Sequence, residues 1–477
     1  MKLIKKIALI LLGIIGIILM ILITLIFLEK RDTSYLNIKM HKNSESNSLL
    51  IKNVNIIPMT SDTVLTNKMI LIKNGIISAI NDSINSNGIK ILDAGNNYLF
   101  PGLIDMHVHV WDKYELGLYL SYGITTVRNL WGMPMHLRLK EEINNEEIFS
   151  PMFFTSGPKL TGPEFIGDDN LNLFSSKEAL EKVTEYYNDG YDFIKSYYGL
   201  TKDIFDAIIE QAAKYNIDIV AHPSQKVPFS YHFKPQIKSI EHAEDIVQEG
   251  LNYKLDSLKL QNIIQEFRDS PNTSFCPTLI SYHNIYKMLT DERILESSSA
   301  FLMNALIRKT DSQDQFARWQ RTKKQDPNIV SRIKKQHDFH LKIVKQFNNA
   351  GINIICGTDA GIGITAPGYS IQQELELYKE AGLSNYDVLK TATANASKVH
   401  KQMNNLGTIE VGKIANLLIL ENNPLNKLES LHHPLKVFIR GRKINREQLN
   451  DFQIKAKNRS NLLTTALRYA EYYLFVR

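Results

Sequence analysis

Hydrophobic positions along this chain fall into three patterns, and each pattern predicts a different kind of element. Residues 7–28 form an almost unbroken apolar run without a charge, and about 20 such residues are what a helix needs to cross a membrane. Short β-type runs follow at 49–100 and recur at 403–446, with Asn74-Gly75 as a hairpin signal. Between these two regions, apolar strand-like runs alternate with longer segments of helical spacing, which is typical of βα units around a parallel sheet.

The central region contains eight candidate strands, the number that closes a TIM barrel. The intervening segments have a helical pattern. One example is TKDIFDAIIEQAAKYN, which has apolar residues at helical spacing after a Thr cap. We therefore predict an α/β fold: a TIM-like (β/α)8 barrel with a small β-sandwich domain built from both ends of the chain, preceded by one N-terminal transmembrane helix. The candidate strands are GLIDMHVHV, GITTVRNL, MFFTSG, DFIKSYY, IDIVAH, SIEHAE, SFCPTLI and INIICGTDAG.

Changes in pattern along the chain predict six segments. The polar, aperiodic stretch after the apolar run is typical of a linker, and the end of the chain has an amphipathic helical pattern. The segments are 1–31, a membrane anchor; 32–48, a linker; 49–100, the first part of the β-sandwich; 101–402, the barrel; 403–446, the second part of the β-sandwich; and 447–477, a C-terminal helical tail.

The charges around the apolar run predict its topology. Lys2, Lys5 and Lys6 precede it, whereas the four charges of 29–32 cancel. The positive-inside rule then places the N-terminus in the cytoplasm and the rest of the chain outside, on the periplasmic or outer face, as a single-pass membrane protein. A cleaved signal peptide is the alternative, but its apolar region is normally shorter and ends in small residues, which 24–28 do not offer.

Composition excludes several classes of protein. A formal charge of +6 over 477 residues, with basic and acidic residues interspersed, argues against nucleic-acid binding. The two cysteines, Cys276 and Cys356, are too few for a disulfide framework. The long charged region 283–350 is compatible with a lid, a contact in a homo-oligomer or a solvated helical face.

Residues capable of binding metal recur where the candidate strands end. Catalytic residues of TIM barrels lie at the C-terminal ends of the strands, and two histidines at i and i+2 on a strand point the same way. A lone strand histidine is more often a core residue, a lysine can reach from an apolar strand to water, and an aspartate beside glycine can cap a helix. The set as a whole is hard to explain by such separate roles. Its members are His107 and His109 after the first strand, Lys195 after the fourth, His222 after the fifth, His242 after the sixth and Asp359 after the eighth.

Imidazoles and a carboxylate suit a divalent cation, with zinc as the first choice and manganese, iron or cobalt as alternatives. Such an ion lowers the pKa of a bound water and polarises a carbonyl, as amide hydrolysis requires. A neighbouring carboxylate can take the proton of that water and pass it to the leaving nitrogen. An ammonium repels cations, so Lys195 fits the set only as a carbamate formed with CO2.

At these residues the chain resembles the amidohydrolase superfamily, and most of all its branch of imidazolonepropionase-like proteins and prolidase-type metal-dependent dipeptidases. The resemblance runs from about Leu49 to Asn445. Its most specific parts are the HxH after PGLID and the closing VGKIA, where Asn416 replaces the usual acid. The motifs, in family order, are FPGLIDMHVH, GITTVRN, FIKSYYG, AHPS, SIEH, CGTDAG and GTIEVGKIANLLIL.

The resemblance implies two metal ions, bridged by carboxylated Lys195. His107, His109 and Asp359 would hold the more buried ion, and His222 and His242 the second. Asp359 would also be the catalytic proton shuttle. At positions near these motifs, the candidate substrate contacts are Arg128, Tyr197, Tyr198 and His283.

The expected function is therefore hydrolysis of a C–N amide bond in a small molecule or short peptide, such as a dipeptide, by a metal-bound hydroxide. Opening of a cyclic amide, or hydrolysis of an N-acyl group or an ester, is the alternative at the same metal centre. A non-catalytic binding protein is the third reading, which the complete ligand set disfavours.

Overall fold

The computed structural model describes residues 2–38, 48–164 and 170–476. In these ranges the strands are β1 (Ser48–Ile56), β2 (Leu65–Lys73), β3 (Ile76–Asn81), β4 (Lys90–Asp93), β5 (Tyr98–Pro101), β6 (Leu103–Val108), β7 (Ile124–Asn129), β8 (Met152–Thr155), β9 (Lys159–Thr161), β10 (Asn170–Asn172), β11 (Phe193–Ser196), β12 (Asp218–Ala221), β13 (Ile237–Glu241), β14 (Ser274–Cys276), β15 (Leu417–Leu420), β16 (Lys436–Ile439) and β17 (Arg442–Asn445). The α-helices are α1 (Lys2–Asp32), α2 (Tyr114–Ser121), α3 (Pro134–Asn144), α4 (Ser176–Asp189), α5 (Lys202–Tyr215), α6 (Ala243–Asp245), α7 (Ser257–Asp269), α8 (Leu279–Thr290), α9 (Ala305–Ile307), α10 (Gln313–Gln325), α11 (Ile329–Asn349), α12 (Tyr369–Glu380), α13 (Asn385–Thr391), α14 (Arg446–Lys457) and α15 (Leu462–Phe475).

The eight apolar runs of the central region form a parallel barrel, as predicted. Strands β6, β7 and β8 pair in parallel, and so do β11, β12, β13 and β14. A bridge from Ser156 to Phe193 joins the two groups. The eighth run closes the barrel through isolated parallel bridges rather than a regular strand: Ile354 meets Phe275 on one side and Ala360 meets Val108 on the other.

Short polar signals set the ends of several helices around the barrel. The side chain of Ser175 accepts a hydrogen bond from the Glu178 N–H at the start of α4, and Gly190 ends that helix in the left-handed conformation. Thr201 lies at the N-cap of α5, as the sequence predicts, but its hydroxyl donates to the Asp203 carboxylate rather than accepting from the backbone. Small strands β9 and β10, which the sequence pattern did not predict, extend the barrel sheet beside β11.

The β-sandwich domain is built from both ends of the chain, as predicted. Its sheet runs β17-β16-β15-β5-β1-β2-β3, with β4 added against β1. The antiparallel pairing of β15 with β5, including Leu418 opposite Phe100, joins the late strands to the early ones. Because this pairing lies where the first barrel strand begins, it also fixes the sandwich to the barrel.

Helix α1 is long and apolar enough to cross a membrane, and a signal sequence near an N-terminus would have the same properties. The predicted linker 32–48 differs from the structure at its start. Leu36 is fully buried against the barrel, and Asn37 bridges Ile148. Residues 39–47 of that linker lie outside the described residues.

Two helical regions complete the chain. The long insertion before the eighth barrel strand folds into α8, α9, α10 and α11. The C-terminal tail forms α14 and α15, and α14 packs on α2 while α15 packs on α1, α3 and α9. Both regions therefore lie around the barrel, and α8 brings its first turn to the end of the barrel where the six candidate ligands fall.

Candidate metal centre

One cavity at the C-terminal end of the barrel collects all six side chains that the sequence singled out. Its volume is about 180 Å³. The residues that line it are His107, His109, Lys159, Lys195, Tyr197, Tyr198, His222, His242, Glu244, Pro277, Thr278, Ser281, Tyr282, Asp359 and Ile362.

His107, His109 and Asp359 form the first cluster within this cavity. The Asp359 Oδ1 atom lies 2.8 Å from His109 Nε2 and 3.3 Å from His107 Nε2. One ligand atom from each residue lies within 4.8 Å of the others. Asp359 also accepts a hydrogen bond at Oδ2 from the Ser281 hydroxyl, at 3.2 Å. Its two carboxylate oxygens thus face different partners.

His222, His242 and Asp245 form the second cluster. Their ligand atoms also lie within 4.8 Å of one another. The ring centroids of His222 and His242 are 4.7 Å apart, and His242 lies 4.8 Å from His107 of the first cluster. The two clusters are therefore adjacent, as a site for two neighbouring ions requires.

Three of the four histidines have an oxygen atom within 3 Å of the same ring atom, Nδ1. His107 Nδ1 lies 2.7 Å from Glu241, and His242 Nδ1 lies 2.7 Å from the Thr278 hydroxyl. His222 Nδ1 lies 2.9 Å from Asp245 Oδ2, although the two atoms are not aligned as a hydrogen bond. A carboxylate can only accept, so Glu241 fixes the tautomer of His107 with the proton on Nδ1 and leaves Nε2 for a metal.

Lys195 is buried among these groups. Its Nζ atom has no hydrogen-bond partner among the described residues, and neither does His222 Nε2. Burial lowers the pKa of Lys195 to about 8. Burial, followed by the charge of Lys195, also lowers the pKa values of His107 and His222 well below their ordinary range. These two histidines are therefore neutral, which is the form that binds a metal.

A buried ion pair lies directly beneath His107. Arg128 and Glu241 are fully buried, with Arg128 Nη2 2.9 Å from Glu241 Oε1. Burial alone would raise the pKa of Glu241, but the Arg128 guanidinium and the hydrogen bond to His107 hold it well below its usual value. Arg128 also donates to the Met106 carbonyl and to Ser239.

The backbone is strained where the site residues lie. His242, Thr278 and Asp359 have φ angles of 66°, 48° and 60°, a left-handed region that costs residues other than glycine about 1–3 kcal/mol each and recurs at functional sites. Gly357 lets the eighth run approach the first, because a Cβ there would lie 2.7 Å from His107 Cβ and 2.4 Å from Cys276 Sγ.

The candidate substrate contacts divide into two groups. Tyr197 and Tyr198 line the cavity and pack on His222, with ring centroids 4.3 and 4.2 Å away. Arg128 does not line it: the side chain is fully buried under the site and already engaged by four groups. Of the four candidate substrate contacts, Arg128 is therefore the one whose hydrogen-bonding groups are taken up by the protein itself. His283 also lies outside the cavity lining, 3.1 Å from His337.

Sequence reasoning missed several residues of the site. Thr278 and Ser281 form hydrogen bonds with candidate ligand side chains, and Asp245 lies 2.9 Å from His222. Lys159 and Tyr282 line the cavity. Asp245 follows His242 by three residues in SIEHAED, so its carboxylate was visible beside a quoted motif. Thr278 and Ser281 carry no local signal, because their roles depend on contacts across the barrel.

The residues present fit a pair of divalent cations. Two clusters of nitrogen and oxygen ligands lie side by side, and burial holds the pKa values of His107, His222 and His242 below their ordinary range. The buried amine of Lys195 lies between charged groups without a hydrogen-bond partner among the described residues. Those features are what a metal centre with oriented ligands needs, and a packed core would not leave them.

A barrel with a metal-capable cavity at the C-terminal ends of its strands, joined to a β-sandwich, defines a class of protein, and comparison with known proteins gives the family. The model of the amidohydrolase family matches residues 119–444. The chain belongs to the amidohydrolase family.

Curated relatives match this chain only locally. A dihydroorotase of Carboxydothermus hydrogenoformans is 42% identical over 64 residues, which are 13% of this chain and 15% of the dihydroorotase. The chain thus matches well under two thirds of that relative's length.

Solved structures match far more of the chain. Bottromycin amidohydrolase has a TM-score of 0.73 at 20% identity, over 92% of this chain and 94% of its own. A Xaa-Pro dipeptidase with bound methionine in its active site has a TM-score of 0.63 at 21% identity, over 83% of this chain and 100% of its own. At these identities the likeness shows the fold.

Proposed function

We propose that this protein is a metal-dependent hydrolase that cleaves a C–N amide bond of a small substrate such as a dipeptide. One observation carries the proposal: six side chains from five barrel strands converge on one cavity, where Lys195 Nζ and His222 Nε2 have no hydrogen-bond partner among the described residues. The cavity of about 180 Å³ is smaller than the roughly 300–1,000 Å³ of sites for drug-sized ligands. That volume favours a small substrate.

Two divalent ions, zinc by preference, would be held by the two clusters. His107, His109 and Asp359 would hold one, and His222 and His242 the other. Lys195, as a carbamate, would supply an anionic oxygen to each. In this arrangement Asp245 acts through His222, as Glu241 acts through His107, by holding the Nδ1 side of the ring.

The chemistry that bound metal ions supply is a water of lowered pKa and a polarised carbonyl. Asp359 is placed to move the proton. Its Oδ1 atom faces the imidazoles, while Oδ2 accepts from Ser281 at the cavity wall. The carboxylate takes the proton of the attacking water and gives it to the amide nitrogen as the C–N bond breaks.

The cavity wall suits a substrate with a carboxylate. Lys159 lines it, with its ammonium 4.6 Å from the centre of the Tyr197 ring. Tyr197 and Tyr282 also line the cavity, whereas the Tyr198 hydroxyl donates to Asp245 Oδ1 at 3.2 Å. An ammonium and phenols recognise a carboxylate through charge-assisted hydrogen bonds, so we assign the C-terminal end of a dipeptide to this wall. The structural likeness to a Xaa-Pro dipeptidase supports this choice.

We further propose that α1 is an uncleaved membrane anchor and that the barrel lies outside the cytoplasm. The support is the length and apolarity of α1 together with the excess of positive charge before it. The described contacts add that the end of α1 is fixed to the body, since Arg468 of α15 forms an ion pair with Glu29. We propose the six segments predicted from the sequence as the domain organisation. The start of the linker, at residues 34–38, packs on the barrel.

The test is amino-acid release by the full-length protein in detergent, stripped of metal and reloaded with zinc or manganese. The substrates are a dipeptide library that includes Xaa-Pro, Xaa-Lys and Xaa-Arg members, and Asp359→Asn prepared in parallel is the control. We expect selective release by the wild type and almost none by the variant. No release with metal bound would reject the dipeptidase proposal and favour cyclic amides, N-acyl compounds or esters. Failure to bind any divalent metal would reject the hydrolase itself.

A further inference from the structure

A groove between α1, α3 and α15 brings the C-terminal helix beside the apolar part of α1. Its volume is about 1,000 Å³. Leu22 and Ile26 of α1 line it together with Leu474 and Phe475 of α15. Leu474 and Phe475 are 76% and 80% exposed. Such residues at the end of a helix need a partner, or they face water at a cost.

One ion pair fixes how the two helices lie against each other. Arg468 pairs with Glu29, and seven residues separate each of them from Phe475 and Leu22. At 1.5 Å per residue, both intervals are about 10 Å. An antiparallel course therefore places Phe475 at the level of Leu22. Leu22, Leu25 and Leu28 are half-buried, whereas Ile26 and Phe27 between them are exposed. This difference agrees with packing of the body of the protein against one face of α1 only.

This level lies inside the apolar stretch of α1, which ends at Leu28. Six residues separate Leu28 from Leu22, or about 9 Å. Helices that lie in a membrane interface bury their apolar side chains about 5–10 Å into the boundary of headgroups and acyl chains. The end of α15 thus reaches the depth that an interfacial helix reaches.

We propose that the C-terminal end of α15, at Leu474 and Phe475, inserts into the lipid bilayer that α1 enters. The inference rests on the proposed membrane-spanning role of α1. The groove faces the acyl-chain region of the bilayer rather than an anionic headgroup. Basic and acidic side chains line it in equal number, four of each, so it carries no excess charge that would attract an anion. Insertion is therefore independent of anionic lipid.

The same helix connects the bilayer to the metal centre. The Tyr469 ring lies 6.1 Å from the rings of Trp111 and Trp131, and Trp131 lies 6.4 Å from His109. Helix α15 therefore spans the distance between the proposed membrane contact and the aromatic wall beside a candidate metal ligand. The barrel's ligand-bearing end is held close to the membrane surface.

The test uses the full-length protein in phosphatidylcholine vesicles, with single cysteines that carry an environment-sensitive fluorophore. Cys276 and Cys356 are fully buried and do not compete for the label. Phe475→Cys and Leu474→Cys probe the proposed contact. Leu463→Cys is the matched control, since it is an exposed leucine of the same helix about 18 Å from Phe475 along the axis. Ile14→Cys reports on α1 itself.

We expect the fluorophores at 474 and 475 to be shifted to shorter wavelength and quenched by spin-labelled lipid several-fold more than the one at 463, which iodide should quench instead. The result should be the same when anionic lipid is added. If the fluorophores at 474 and 475 are quenched like the one at 463 while the one at 14 is in lipid, the inference is wrong, but the proposal that α1 is an anchor is supported. If 14 is also in water, the proposed anchor fails. A requirement for anionic lipid would contradict the acyl-chain mode.

Discussion

His107 and His242 face the same cavity, but the groups behind them differ. His107 is backed by the ionised Glu241, which Arg128 pairs with. Arg128 contacts His400 at 3.0 Å, and His400 lies 2.7 Å from Asp218 at the start of β12, so this buried chain of polar groups crosses the barrel to its opposite end. His242 is backed by a neutral hydroxyl, that of Thr278.

This difference shows where the site is rigid. The His107 side is supported by charges in the barrel core, where an ion pair is strong but costly to break. The His242 side is supported by a residue at the start of α8, which belongs to the long insertion. We therefore expect metal to be lost first from the His222 and His242 side, and four substitutions test this comparison.

The largest effect should follow Lys195→Ala, which removes the group proposed to serve both sides. We expect most of the bound metal and nearly all activity to be lost, because each cluster loses an anionic oxygen. Metal content by elemental analysis is the measurement, with exposed Lys214→Ala as the control. An unchanged metal content would rule out the bridging role.

Asp359→Asn should have the second-largest effect, since it keeps the shape of the side chain but removes the proton acceptor. At least one metal ion should remain, and turnover should fall by about 10²–10⁴, the range for loss of a general acid–base group. The surface variant Asp338→Asn serves as the control. Wild-type turnover in Asp359→Asn would remove this residue from the proton pathway.

Glu241→Gln tests the charged support of His107. The substitution leaves Arg128 buried without its counter-ion. Breaking a buried ion pair in this way costs about 3–5 kcal/mol of folding stability. Metal affinity should fall by about 10–100-fold, the usual effect of losing a ligand's hydrogen-bond partner. Thermal unfolding and competition with a chelator measure the two effects. A stability equal to that of the wild type would mean that the ion pair does not support the site.

The smallest effect is expected for Thr278→Val, which removes only the hydroxyl behind His242 and keeps the β-branched shape at this left-handed position. Metal affinity should fall by about 10-fold, at the lower end of the same range, with little change in stability. Thr278→Ser should restore the affinity. A larger loss of stability than in Glu241→Gln would reverse the comparison between the two sides.

Most of the barrel could be predicted because apolar runs of strand length recur between helical segments, and the ligands lie at the ends of those runs. His107 and His109 were visible as alternate residues on one strand. Arg128 was predicted as a substrate contact because a strand end does not reveal whether a long side chain points up to the cavity or down into the core. Its acidic partner Glu241 lies more than 100 residues away.

Other features depend on packing that no local pattern encodes. The eighth run was predicted as a strand, yet among the described residues it makes only isolated bridges. Its backbone leaves the extended conformation at Asp359, where φ is 60°. Residues 34–38 were assigned to a linker from their polarity, but Leu36 is fully buried and the backbone pairs with residues 147–149. Helix α15 packs on α1 although they lie at opposite ends of the sequence, and the pattern of neither segment predicts this contact.

We propose above all that two divalent ions at this cavity make the protein a hydrolase. The most direct measurement is a titration of zinc or manganese into the chelator-stripped full-length protein, with bound metal and substrate turnover followed together. We expect turnover to rise to a plateau at two ions per chain, with the second ion bound more weakly than the first. Full turnover without metal, or no binding of either ion, would contradict this proposal.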